Sequence, residues 1–202
     1  MKTQPDYDGA ITYAREKLDN GLSAELTYHS FDHTFFDVLK AVERLAEICQ
    51  VDGQDLQLLR VAAAFHDTGY ISTRVEHEIA GIRIAAQVLP DFGFEDKQID
   101  LVIGMILATR LPQSPRTFLE ELIADADLDS LGRDDFFIRS EALRKELAAF
   151  GHFTPRDQWY RQQRSFLQGH AYFTAAARAL REPTKQKHIQ TLEGWIAEQD
   201  GE

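Results

Sequence analysis

The sequence predicts an all-α protein built as a single helical bundle. Apolar residues recur at intervals of three and four along most of the chain, and no segment alternates apolar and polar residues for long enough to form a strand. The chain has 202 residues, 44% of them hydrophobic and 27% charged, which is typical of a folded globular protein. A chain of this length can bury a core without disulfides, and Cys49 is its single cysteine.

Apolar stripes define the first four predicted helices. Residues 34–49 carry a stripe at helical spacing that begins at Phe35. Residues 56–65 are apolar almost throughout, which predicts a helix at the centre of the fold. A third helix over 79–89 ends at Pro90, and a fourth over 99–107 ends before Pro112, because proline cannot continue a helix.

Four further helices are predicted in the second half of the chain, over residues 118–128, 136–150, 159–180 and 185–198. The connections between helices are short, and there is no internal repeat, low-complexity tract or Gly/Ser-rich linker. We therefore expect one domain over residues 1–202, with a core at about 25–150 and C-terminal helices at about 151–202 packed on that core.

The charge of the chain restricts its partners. The net charge is −11, which argues against binding to a nucleic acid backbone. No apolar run approaches the roughly 18 residues that span a bilayer, and the first residues do not resemble a signal peptide, so we expect a cytoplasmic protein with no membrane partner. An acidic body suits a metal site, because carboxylates are the ligands that hard cations prefer. The sequence predicts no oligomeric state.

Histidines and acids occur at three places that could supply metal ligands. His66 and Asp67 follow the buried apolar helix, where a carboxylate is costly unless it is charge-paired or metal-bound. His29 and His33 lie four residues apart, hence on one face of a helix start. Residues 124–129 carry three aspartates among small and apolar residues. Taken singly, each place has a simpler interpretation as a solvated helix end or a pair of surface histidines.

Taken together, these residues resemble the H…HD…D signature of the HD superfamily of metal-dependent phosphohydrolases. The resemblance covers about half of the chain and implies a helical bundle that holds one divalent ion with His33, His66, Asp67 and one later aspartate. We assign Asp127 to that last position, because the sequence Ala-Asp-Leu resembles the family pattern there. Asp125 is the alternative, and it points to a different face because it lies two residues away.

Two imidazoles and two carboxylates leave about two positions of an octahedral ion for water or a phosphate oxygen. This mixed nitrogen and oxygen set suits Mn²⁺, Mg²⁺, Fe²⁺, Co²⁺ or Ni²⁺, and Zn²⁺ is possible but not indicated. Such an ion polarises a phosphoryl oxygen and lowers the pKa of a bound water, which then attacks phosphorus. Asp67 is expected to orient or deprotonate that water in addition to binding the metal.

Two more histidines receive roles from the resemblance. Tyr28 and His29, followed by His33, resemble the opening motif of the cyclic-nucleotide phosphodiesterases, a branch in which the first histidine protonates the leaving oxygen. This implies that His29 is the catalytic acid, although Ser30 stands where that branch has asparagine. His77 lies in a segment that resembles the phosphate-contacting helix of two-metal HD enzymes. Two-metal HD enzymes carry a further histidine on the next helix, and this chain lacks it. We therefore expect one ion and assign His77 to substrate binding.

The sequence therefore predicts a metal-dependent phosphohydrolase that acts on a small phosphoester, with a nucleotide as the favoured substrate. Phosphomonoester and phosphodiester substrates both remain open. The alternative is a catalytically idle metal-binding HD module that senses a ligand or regulates another protein. His29 distinguishes the two hypotheses, because an idle module needs no acid beside its metal.

Overall fold

The computed structural model describes residues 4–200, and within that range it confirms the all-α prediction, with helices and no strand. The α-helices are α1 (Tyr7–Gly21), α2 (Leu39–Ile48), α3 (Gly53–Phe65), α4 (His77–Val88), α5 (Asp96–Ala108), α6 (Phe118–Asp127), α7 (Phe136–Ala149), α8 (Arg156–Gly169) and α9 (Ala175–Asp200). A π-helical segment, His33–Val38, precedes α2. Short 3-10 helices lie at Thr68–Ile71, Leu89–Phe92 and Asp129–Gly132.

The described chain divides into two compact units. The first contains the chain up to Ser23 together with His29–Asp127, and the second contains Ala24–Tyr28 together with the chain from Leu128 onward. The expectation of a single domain whose C-terminal helices pack on the core stays a prediction.

Helix α3 forms the centre of the first unit, as its composition predicts. From Leu58 to Phe65 every apolar side chain of α3 is fully buried. Helices α1, α2 and α5 all pack against α3. The exposed residues of α3 lie in its first turn, so burial increases along the helix and places its C-terminal end inside the unit.

A glycine allows α4 to approach the end of α3. A Cβ atom at Gly69 would lie 1.8 Å from the backbone oxygen of His77, so any larger residue would force the two segments apart. Gly81, one turn further along α4, lies against the backbone of Phe65 in the same way, with a Cβ position 3.2 Å from its oxygen. This close packing brings the start of α4 beside the turn that follows α3.

Helices α7, α8 and α9 form most of the second unit. Its apolar core consists of Leu128, Leu131, Phe136, Leu167, Ile189 and Leu192. Asp129 is 2% exposed, and its carboxylate accepts two hydrogen bonds from Arg181, at 2.7 Å from Nε and 3.0 Å from Nη2. Gly132 lies against the backbone of Arg181, which lets α9 approach the short helix at Asp129–Gly132.

The prediction of one helix over 159–180 and another over 185–198 is wrong. Helix α8 ends at Gly169, and α9 runs unbroken from Ala175 to Asp200 with Pro183 inside it. Two polar contacts mark the break between them: Lys185 Nζ donates to the backbone oxygen of His170 at 2.6 Å, and Thr174 Oγ1 accepts from the backbone N–H of Ala177 at 3.1 Å.

Helix α1 is absent from the sequence prediction. Its buried face consists of Tyr7, Ala10, Ala14 and Leu18, a stripe at helical spacing. Asp6 caps its first turn by accepting a hydrogen bond from the backbone N–H of Gly9 at 2.8 Å.

Candidate metal centre

The first histidine of the candidate site lies at the start of a π-helical segment. His33 opens the segment His33–Val38, which continues directly into α2, and its side chain is buried. The backbone N–H of His33 donates to the hydroxyl of Ser30 at 3.3 Å. Single π-helical turns are rare and occur frequently at functional sites.

The second part of the site follows the central helix α3. His66 and Asp67 are both buried, in the turn between α3 and the 3-10 helix at Thr68–Ile71. His66 Nδ1 lies 2.8 Å from the backbone oxygen of Ala63. Because a carbonyl oxygen only accepts, Nδ1 carries the proton, and Nε2 is the nitrogen that faces the site.

Asp127, the last residue of α6, provides the third part of the site. Its Oδ1 lies 3.3 Å from His33 Nε2 and 3.4 Å from His66 Nε2. Asp125 is also buried, and its charge raises the pKa of Cys49 at the end of α2, an effect secondary to the burial of that thiol. Of the two aspartates that the sequence left open, Asp127 is the one that the structure places beside both histidines.

Four side chains thus converge from three helix ends. Within residues 4–200, the atoms that His33, His66 and Asp127 can offer to a metal all lie within 4.8 Å of one another. Asp67 adjoins this group, with Oδ2 at 3.3 Å from His66 Nε2 and 3.7 Å from His33 Nε2. An ion with bonds of about 2.1 Å would separate neighbouring octahedral ligand atoms by about 3.0 Å, so these distances are close to those that an ion requires.

Two buried atoms of the cluster supply a test of whether an ion fits. His66 Nε2 and Asp67 Oδ2 are buried, and neither has a hydrogen-bond partner within the described part of the chain. A buried polar atom without a partner costs about 1–3 kcal/mol, and more when it is charged. A cation between these atoms would satisfy both, and the donor set of two imidazole nitrogens and two carboxylate oxygens suits a first-row divalent metal.

The electrostatics of the cluster also favour a cation. Burial raises the pKa values of the Asp67 and Asp127 carboxyls, but the neighbouring histidines outweigh it and hold the pKa of Asp67 far below its ordinary range and that of Asp127 at about 2. For His66, burial lowers the pKa but the two carboxylates raise it well above its usual value. Both carboxylates are therefore ionised at neutral pH, and a divalent ion would compete with a proton for His66 Nε2.

The two remaining sequence candidates, His29 and His77, lie beside the same cluster. The ring centroid of His29 is 6.1 Å from that of His33, and His77 Nε2 is 3.6 Å from Asp67 Oδ1. Asp67 therefore faces His33 and His66 with one carboxylate oxygen and His77 with the other. All six residues that the sequence proposes, His29, His33, His66, Asp67, His77 and Asp127, are brought together in the first unit.

Tyr70 is a neighbour of the site that sequence reasoning missed. Its ring stacks on His29 at 4.3 Å and on His77 at 4.0 Å between centroids, with interplanar angles of 23° and 25°. Glu78 completes this side of the site, with Oε1 at 3.4 Å from His77 Nε2. The only sequence signal for the role of Tyr70 was its position three residues after Asp67, in the 3-10 helix Thr68–Ile71.

Comparison with known proteins identifies the family and the fold of the chain. The family model of the HD domain matches residues 22–130, more than half of the chain. The crystal structure of a predicted HD superfamily hydrolase from an uncultured Thermotogales bacterium is similar in fold, with a TM-score of 0.61 and 20% sequence identity over 96% of this chain and 93% of that one. A search of curated proteins finds no significant match.

The helices between residues 4 and 200 include none with both the length and the apolar character needed to cross a membrane.

The domain match spans all four converging side chains, and these side chains could hold a metal ion. The chain belongs to the HD domain family, a family of metal-dependent hydrolases.

Proposed function

We propose that the protein is a metal-dependent phosphohydrolase that hydrolyses a small phosphoester, with a nucleotide as the favoured substrate. The observation that supports this proposal most strongly is the convergence of His33, His66, Asp67 and Asp127, with two buried ligand atoms that lack hydrogen-bond partners. Their donor chemistry suits Mn²⁺, Mg²⁺, Fe²⁺, Co²⁺ or Ni²⁺, with Zn²⁺ as a further possibility. The proposal includes neither a nucleic acid nor a membrane as partner, since the chain carries a net charge of −11.

When bound, a divalent ion supplies a polarised phosphoryl oxygen and a water of lowered pKa. Asp67 would orient the attacking water, because its carboxylate lies between the His33–His66 pair and His77. His29 would donate the proton that the leaving oxygen requires. Tyr70 stacks on His29 and so limits the orientations that the imidazole can adopt.

His77 would contact the substrate phosphate. Its pKa is lowered by burial, although Asp67 and Glu78 act in the opposite direction. The neutral imidazole has a single N–H, and the carboxylates of Glu78 and Asp67, at 3.4 Å and 3.6 Å from Nε2, favour the proton on that nitrogen. His77 would therefore donate to a phosphate oxygen through Nε2.

The test is phosphoester hydrolysis with added Mn²⁺ over a panel of a generic phosphodiester, cyclic nucleotides, and nucleoside mono- and triphosphates. Wild type is compared with Asp67→Ala and with Asp100→Ala, a control that removes an exposed aspartate from α5. We expect Asp67→Ala to stay folded but to lose both metal and turnover, and Asp100→Ala to keep both.

An active Asp67→Ala variant that still binds metal would overturn the site assignment. If wild type binds metal but hydrolyses no member of the panel, the alternative of a catalytically idle HD module is favoured. If wild type binds no metal at all, the histidines and aspartates serve only the structure of the first unit.

A further inference from the structure

A cavity of about 270 Å³ lies among aromatic side chains of the second unit. The rings of Phe137, Tyr160 and Trp195 line it, and all three are partly exposed while packed on the apolar core of that unit. The centroid of Trp195 is 4.7 Å from that of Phe137 and 4.9 Å from that of Tyr160, with interplanar angles of 55° and 38°. Buried Leu192 also lines the cavity, so its inner wall is apolar.

The cavity carries an excess of positive charge. Glu141 and Arg156 both line it, but Arg144 neutralises Glu141 through two hydrogen bonds, at 2.9 Å from Nε and 2.8 Å from Nη2. Arg156 is exposed and contributes, after Arg144, to lowering the pKa of the Glu141 carboxyl, but no hydrogen bond or ion pair within residues 4–200 occupies its guanidinium. Its hydrogen-bonding capacity is therefore available to a ligand.

Ser140 and Trp159 also line the cavity, and their polar atoms are already hydrogen-bonded within the protein. The hydroxyl of Ser140 accepts from Trp159 Nε1 at 2.9 Å and donates to Gln163 Oε1 at 3.1 Å. Ser140 and Trp159 thus support the cavity and offer no further strong donor to a ligand. The groups that remain are the aromatic faces, the hydroxyl of Tyr160 and the guanidinium of Arg156.

We propose that this cavity binds a small planar aromatic carboxylate of one or two rings. Tilted aromatic rings offer faces and edges to a flat ligand, and a guanidinium pairs with a carboxylate through two parallel hydrogen bonds. The volume lies just below the range of about 300–1,000 Å³ in which pockets hold drug-sized ligands, which limits the ligand to one or two rings. An organic cation would also be attracted by aromatic faces, but Arg156 opposes it while Glu141 is already paired.

The two tryptophans of the chain, Trp159 and Trp195, both line this cavity, so their indole N–H signals in a nitrogen-15 NMR spectrum report on it directly. The full chain is titrated with 2-naphthoate and, separately, with the neutral amide 2-naphthamide. We expect saturable shifts of the Trp195 signal with both, and an affinity for the carboxylate that is at least about fivefold higher, as one charged contact at a partly exposed site provides.

Arg156→Gln tests the charged contact, and Arg161→Gln is its control. Arg161 lies on the same helix but pairs with Asp200. We expect Arg156→Gln to equalise the two affinities and Arg161→Gln to keep the preference. Tyr160→Leu keeps both tryptophan reporters, removes one aromatic face and should weaken both probes.

Three results would overturn the proposal: no saturable shift with either probe, equal affinities in wild type, or a carboxylate preference that survives in Arg156→Gln. The unliganded indole signals of each variant show whether it is folded, and Arg156 is exposed enough for its replacement to leave the fold intact.

Discussion

Replacing Asp127 by asparagine removes one negative charge from the candidate metal centre while keeping the shape of the side chain. The carboxylate oxygen of Asp127 lies 3.3 Å from His33 Nε2 and 3.4 Å from His66 Nε2, so it contacts both imidazoles that would share an ion with it. The matching change, Asp125→Asn, removes a charge from a position that is more deeply buried on the same helix. Comparing Asp127→Asn with Asp125→Asn therefore distinguishes the effect of losing a metal ligand from the effect of losing a buried charge.

The expected size of the effect follows from the burial of the group. Removing one partner from a buried set of charges costs about 3–5 kcal/mol. The Asp127 side chain is 17% exposed, so we take the lower end, about 3 kcal/mol, which corresponds to roughly a 100-fold or greater rise in the Kd for metal. For Asp125→Asn we expect a change in Kd within about threefold, because Asp125 does not belong to the converging group.

Calorimetric titration of the metal-free protein with Mn²⁺ measures both Kd values, and thermal denaturation shows whether each variant is folded. Equal losses of affinity in the two variants would refute the geometric argument. A loss confined to Asp125→Asn would identify Asp125 as the ligand and would show that the end of α6 is oriented differently.

Three other predictions concern the close packing, the pH dependence and the acid. Gly69→Ala should lower the free energy of unfolding by about 3 kcal/mol, because its Cβ would lie 1.8 Å from a backbone oxygen of α4. Burial, and then the charge of Lys185, lower the pKa of His170 to about 4. The unfolded chain therefore binds more protons below about pH 6.5, and stability should fall by about 2 kcal/mol between pH 6.5 and 4, measured by denaturant unfolding, and by much less in His170→Gln. His29→Ala should reduce kcat by about 10²–10⁴ in steady-state assays without changing the Kd for metal.

Matched variants control each of these predictions. Gly194→Ala on α9, where a Cβ meets no atom within 4 Å, should leave stability unchanged or raise it by up to about 1 kcal/mol. The change His152→Gln at an exposed histidine should leave the pH dependence of stability as in wild type. Loss of metal along with turnover in His29→Ala would contradict its role as an acid and would make it a ligand.

Much of the fold could be predicted because a helix that packs on a core carries apolar residues at regular intervals along the sequence. The apolar stripes over 34–49 and 56–65 match helices α2 and α3. Helices α4 and α5 end before Pro90 and Pro112, as the sequence predicts. Helix α1 was missed because two of its four buried positions are Ala10 and Ala14, which give a weak apolar signal. The boundary between α8 and α9 was misplaced because contacts of Lys185 and Thr174, and not the apolar pattern, mark the break.

The candidate site was predictable in its residue types and only partly in its geometry. Spacing placed His66 and Asp67 at the end of a buried helix, and the family resemblance selected the aspartate at 127 over that at 125. Tyr70 could not be assigned, because its stacking on His29 and His77 depends on α4 packing against the 3-10 helix, which Gly69 permits.

The sequence by itself determined that this chain forms helices, that its central helix is buried, and that its histidines and aspartates follow the HD signature. These properties depend on neighbours within about one or two helical turns, which a linear pattern records. Only the tertiary structure decided that His33, His66 and Asp127, separated by up to 94 positions along the chain, lie within 4.8 Å of one another. It also decided that aromatic rings and an available guanidinium share one cavity in the second unit, because such distances are set by helix packing and not by local spacing.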